Sequence, residues 1–323
     1  MAVSGTNPAK DAASGDTTTG RTSEKRPGRV RRIAFVVVLV LFALMHLLLS
    51  PMPFAILGWF LEETAVSHRV HETAFGLVFV LSFVALLTQL RRPDRKPAAM
   101  YMVAIPIWLL ALAVLVVDRD ADPVVFAFII FPALLIALHP ARSQILRLQT
   151  RMSQPMMGLV LLAAVPLIVF AVGQTSTGLD ASDIGRSVWQ QVEDDCDDPD
   201  VSVIACERMF ERALRDSTDS VVQRESARHY GHWSAMGGFA LAVVGLGMVG
   251  SLRIGGWRLL AWGAGLALAF YGVASLVAPN DASAANSLWA ILATGWGIAF
   301  ILVTERVARP SLAVGVTEES PSS

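Results

Sequence analysis

The sequence predicts an all-α integral membrane protein, with eight transmembrane helices built as two tandem four-helix repeats and both termini in the cytoplasm. Three observations carry this expectation: apolar blocks of membrane-crossing length, basic residues that mark every second connection, and a histidine motif that recurs at a fixed offset. Of the 323 residues 54% are hydrophobic and 16% charged, with a mean hydropathy of +0.54. Soluble domains are roughly one-quarter charged, so the composition points to a lipid bilayer rather than water. A net charge of -1 leaves no footprint for nucleic acid, and two cysteines are too few for a disulfide scaffold.

Residues 1–30 are rich in Ser, Thr, Gly, Ala and Asp without apolar periodicity. Such a segment buries too little surface to fold and reads as a disordered cytoplasmic tail. Eight spans follow, at 33–49, 73–90, 99–117, 123–138, 156–173, 234–252, 257–277 and 285–304. None carries Asp, Glu, Lys or Arg in its interior. Most are long enough to cross ~30 Å of hydrocarbon at ~1.5 Å per residue. The basic stretch before the first span imitates a signal peptide, but the apolar run is too long for one and no small-x-small site follows, so it is expected to remain as a helix. Residues 310–323 read as a second disordered tail.

Orientation follows from Lys and Arg, which stay on the cytoplasmic side. Lys25, Arg26, Arg29, Arg31 and Arg32 precede the first span, and Arg91, Arg92, Arg95 and Lys96 follow the second. Arg142, Arg147 and Arg151 follow the fourth, Arg253 and Arg258 lie about the turn after the sixth, and Arg306 and Arg309 close the eighth. The alternate connections carry Glu62, Glu63 and Glu72, then Asp118, Asp120 and Asp122, and finally Asp281. The chain is thus expected in the cell membrane with its acidic connections outside. Residues 53–61 (PFAILGWFL), too short to span, are expected to lie in the interface or re-enter.

A shift of 161 residues lays HRVHETAFG at 68–76 over HYGHWSAMG at 229–237. His68 meets His229, His71 meets His232, Ala74 meets Ala235 and Gly76 meets Gly237, in a chain with six histidines. Tandem duplication of a four-span unit accounts for this, giving repeats at 31–154 and 155–309, the second carrying an outer loop at 174–233. An even number of spans keeps the copies parallel, with a pseudo-axis along the membrane normal. The second repeat is glycine-rich, with ten glycines between residues 231 and 271. Small residues let helices approach closely in lipid, so spans six and seven should pack tightly.

The paired His-x-x-His motifs, His68 with His71 and His229 with His232, are the candidate metal site. At i and i+3 two imidazoles share one helix face and can serve one ion. Ser67 and Ser226 are the expected N-caps, and the partial positive charge of a helix N-terminus favours the neutral, ligating ring. Equivalent helices meeting near the axis would gather up to four imidazoles around a transition metal or haem iron, with Glu62, Glu63 or Glu72 assisting. His46 lies at a comparable depth. His71 and His232, one turn deeper, are expected to carry most of the ligation.

The outer loop holds 13 acidic and six basic residues and both cysteines, Cys196 and Cys206. On an oxidising face this pair reads as a disulfide. Ala205, Met209 and Ala213, with Phe210 and Leu214, recur at helical spacing and predict a short amphipathic helix. The cluster Asp194, Asp195, Asp197, Asp198 and Asp200 lacks an EF-hand pattern and reads as a solvated face.

This layout, eight spans in two halves with histidines at the outer ends of spans two and six and a cysteine pair in an outer loop, is similar to that of the heme A synthases. The resemblance implies histidine-bound haem between helices. The chain departs from that family's pattern: Glu63 precedes His68 and Arg69 by five residues rather than three, His139 stands at the cytoplasmic end of span four, and span eight has no histidine. Two functional expectations remain open. One is metal or haem binding at the extracytoplasmic face. The other is a non-catalytic component whose acidic outer loop engages a protein partner, with the histidines merely interfacial. A small-solute permease is disfavoured by the lack of an ionisable group at mid-membrane. No reaction is assigned.

Overall fold

The computed structural model describes residues 28–49, 69–91, 93–118, 123–146, 151–197, 201–228, 230–281 and 283–309. Residues 1–27 and 310–323 of the expected tails, the segment 53–61, Glu62, Glu63, Ser67, His68 and His229 lie outside them, while Arg29 and Val30, expected in the first tail, open the first helix. The described residues are helical throughout, joined by turns. The helices are α1 (Arg29–Leu49), α2 (Arg69–Arg91), α3 (Ala99–Val117), α4 (Pro123–Leu138) and the short α5 (Arg142–Leu146). They continue with α6 (Gln154–Cys196), α7 (Val203–Ser217), α8 (Val221–Arg228), α9 (Tyr230–Ser251), α10 (Trp257–Val277) and α11 (Ser287–Ala308).

Seven of them, α1, α2, α3, α6, α9, α10 and α11, are long and apolar enough to cross a membrane. α4 keeps the expected bounds but has 16 residues, a length of ~24 Å. Helix starts follow local chemistry. The Ser202 hydroxyl accepts from Ala205 N at 3.2 Å to open α7, the Asn286 side chain accepts from Trp289 N at 3.1 Å to open α11, and Pro155 occupies the first turn of α6.

The core is one cluster running through both halves of the chain, with Phe35, Phe42, Met100, Met102, Phe239 and Phe300 among its fully enclosed side chains. α9 is its hub. A Cβ at Gly237 would meet the Ala171 carbonyl oxygen on α6 at 2.9 Å, and one at Gly238 the Leu109 carbonyl oxygen on α3 at 2.8 Å. Its glycines thus admit neighbours on two faces. The close approach expected between spans six and seven is present as well, with Gly250 against the Ala261 backbone.

The outer loop expected at 174–233 is largely helical. α6 runs on for 43 residues without a break at Gly173, because Gly178, Ala181, Ser182, Gly185, Val188 and Val192 continue a buried stripe at helical spacing. α7 is the expected amphipathic helix. With α8 it folds back along distal α6 around Val188, Leu214 and Ala227. The expected disulfide joins Cys196 and Cys206, with Cα atoms 5.2 Å apart. It ties α6 to α7.

Candidate functional site

His71 stands on the first turn of α2 and His232 on the first turn of α9, at the same end of the bundle. Their rings meet, with centroids 4.4 Å apart and planes inclined by 35°. His71 is 6% exposed and His232 half-buried. Phe75 lies one turn below His71, edge-on at 5.9 Å. Both helices repeat one local device at this end. The Thr73 hydroxyl donates to the Arg69 carbonyl at 2.7 Å, and the Ser234 hydroxyl, at the matching position, donates to the Gly231 carbonyl at 3.0 Å.

The first turn of a helix has amides without intrahelical partners. On α2 one of these, Val70 N, donates to Asp281 Oδ2 at 2.8 Å. Asp281 belongs to the turn between α10 and α11, 211 residues away, and is 8% exposed. The sequence offered it only as one more acid outside the membrane. Ser226 lies within α8 rather than capping α9, since the chain starts a separate helix after residue 229.

Of the four expected ligands, the structure thus brings His71 and His232 together, while His68 and His229 lie outside the described residues. His46 does not join them. It is enclosed by Phe42, Phe79 and Phe128, at centroid distances of 4.7, 5.4 and 5.7 Å. Among the described residues no three His, Cys, Asp or Glu side chains converge as a group able to hold a metal ion. The described residues bring two imidazoles into contact.

The opposite end holds a polar network that local spacing did not reveal. Arg31 on α1 donates to the carbonyls of Leu138 at 3.2 Å, Ala137 at 3.3 Å and His139 at 2.6 Å, closing the C-terminus of α4. Ala141 N donates to His139 Nδ1 at 3.0 Å, so Nε2 carries the ring proton and donates to Gln89 Oε1 at 2.9 Å. The Gln89 amide in turn donates to the Lys96 carbonyl at 2.9 Å. The signal was present as three polar residues at span ends, but their pairing is tertiary.

Comparison with family models, with curated proteins and with solved structures finds no match. The chain's described residues are helical with turns between, and seven helices are long and apolar enough to cross a membrane, which is consistent with a multi-pass protein of a lipid bilayer.

Proposed function

We propose that this protein binds a transition-metal ion at its extracytoplasmic face, between two four-helix halves, through His71 and His232, with His68 and His229 as the further candidates that the sequence motif supplies. The observation that carries the reading is the contact of two imidazoles from helices 161 residues apart in register. Metal–nitrogen bonds of ~2 Å put two ring centres ~4.5 Å apart at right-angled positions on one ion, ~5 Å apart at tetrahedral ones and ~6 Å apart across an iron. A separation of 4.4 Å suits neighbouring positions on one ion better than the two faces of a haem.

The two halves are α1 to α4 and α6 with α9 to α11. The helix contacts support their equivalence. α2 packs on α3 as α9 packs on α10, α3 on α4 as α10 on α11, α1 on α2 as α6 on α9, and α1 on α4 as α6 on α11. Across the halves, α3 packs on α9 as α10 packs on α2. Asp281 also stands 161 residues after Asp120. An eighth crossing by α4 is supported by Arg31, which joins the start of α1 to the end of α4.

Metal analysis of the detergent-purified chain, with copper and zinc titration, tests the reading. Stoichiometric binding is expected, weakened about 10-fold or more by His71→Ala or His232→Ala. Absence of binding, a haem absorption band, or full binding by the double variant would overturn it. A second reading, a protein partner on the outer layer, is favoured by Val203 and Ile204, 85% and 63% exposed at the start of α7. A photo-crosslinking residue at position 204 in intact cells yields one defined adduct on this reading and none otherwise.

A further inference from the structure

We infer that Asp281 is the positioning residue of the imidazole pair. Its carboxylate reaches from the second half to the first and holds the opening turn of α2 so that His71 stays against His232. The inference rests on the metal reading for its functional meaning, while its geometry is independent of it.

The first turn of a helix is the part that frays, because its amides lack intrahelical partners. His71 sits on that turn, directly after Val70, whose amide donates to Asp281 Oδ2 at 2.8 Å. A carboxylate there also complements the positive end of the helix dipole. The anchor is itself held. Asp281 N donates to the Ala278 carbonyl at 3.2 Å, and Ala284 N donates to the Asp281 carbonyl at 3.0 Å. Two contacts strap the same turn onto α10: the Tyr271 hydroxyl donates to the Ser283 carbonyl at 3.1 Å, and Ala285 N donates to Ser275 Oγ at 3.2 Å. The turn and His232 both belong to the second half, so that half supplies both the partner ring and the support for His71. With Oδ2 committed to Val70, Asp281 acts through the placement of His71 on the opening turn of α2.

The test uses the full chain in detergent. Copper(II) is titrated and followed by electron paramagnetic resonance, whose nitrogen hyperfine pattern counts bound imidazoles. Asp281→Ala is expected to weaken binding about 10-fold and to reduce the two-nitrogen pattern to one. Asp281→Asn keeps an oxygen that accepts from Val70 N and is expected to restore the pattern. A metal-free arm places cysteines at His71→Cys and His232→Cys and measures bridging by a short bifunctional maleimide, expected to slow several-fold when Asp281→Ala is added. Unchanged bridging together with an unchanged copper signal in Asp281→Ala would overturn the inference. If the parent chain binds no copper, the proposed function fails, and the bridging rate alone decides for or against Asp281.

Discussion

At the scale of single residues, two histidine environments differ in kind. His71 and His232 meet at a helix-end contact, whereas His139 is enclosed and its ring is committed on both nitrogens, accepting from Ala141 N and donating to Gln89. Burial, reinforced by the neighbouring Arg31 guanidinium, lowers the His139 pKa from 6.5 to about 4. An unfolded chain takes up a proton near pH 6.5, while the folded chain resists until about pH 4. Stability is therefore full above pH 6.5 and falls as the pH drops toward 4, by about 3 kcal/mol over the interval at ~1.4 kcal/mol per pKa unit. Thermal unfolding across this range should show the decline, and His139→Gln should flatten it. A profile that declines equally in the variant would assign the effect to other groups. The histidine pair was legible in the sequence because a rare residue recurred at one offset. Asp281 as its support was not, since a hydrogen bond across 211 residues leaves no trace in local spacing.

At the scale of elements, hydropathy located the spans and misjudged where one helix ends. An apolar window reports where lipid contact stops, and α6 continues past Gly173 because its buried stripe turns from lipid-core packing to packing against α7 and α8. Periodicity carried that information and composition did not. Among the described residues the layer beyond has a core of Val188, Leu214 and Ala227 with Ile184, Phe210 and Ala213 packed on it, so the Cys196–Cys206 bond should matter to it. Cys196→Ser is expected to cost about 3 kcal/mol in the chain-entropy account, read as earlier proteolysis of α7 and α8 with copper binding intact. The glycines of α9 make a sharper test, because abundance alone did not say which contacts they permit. Gly238→Ala drives a methyl into the Leu109 and Leu110 backbone at 2.8 and 2.9 Å and should destabilise by roughly 2 kcal/mol. Gly158→Ala in α6 meets nothing within 4 Å and should stabilise by ~0.5–1 kcal/mol through helix propensity. Equal melting temperatures for the two variants would contradict this account of the packing.

At the scale of the whole molecule, the proposed equivalence of the two halves requires that α4 complete the first half by crossing the membrane. α4 is shorter than its counterpart α11, at 16 residues against 22, and a ~24 Å helix meets a ~30 Å hydrocarbon layer only with local thinning or with support at its ends. Arg31 supplies support at one end. Its guanidinium binds three carbonyls at the close of α4, satisfying groups that would otherwise face the bilayer boundary, and its own position at the start of α1 fixes which boundary that is. On that geometry the preceding helix α3 would end at the other boundary; Asp118 closes it by donating its backbone N–H to the Val114 carbonyl at 2.7 Å. Single cysteines at Asp118→Cys and Arg142→Cys, in a chain whose native cysteines are bonded to each other, should therefore react with an impermeant maleimide from opposite sides. Asp118→Cys should label with Ser217→Cys on the outer layer, and Arg142→Cys only after the membrane is opened. Labelling of positions 118 and 142 from the same side would mean that α4 does not cross, which would leave the two halves inequivalent.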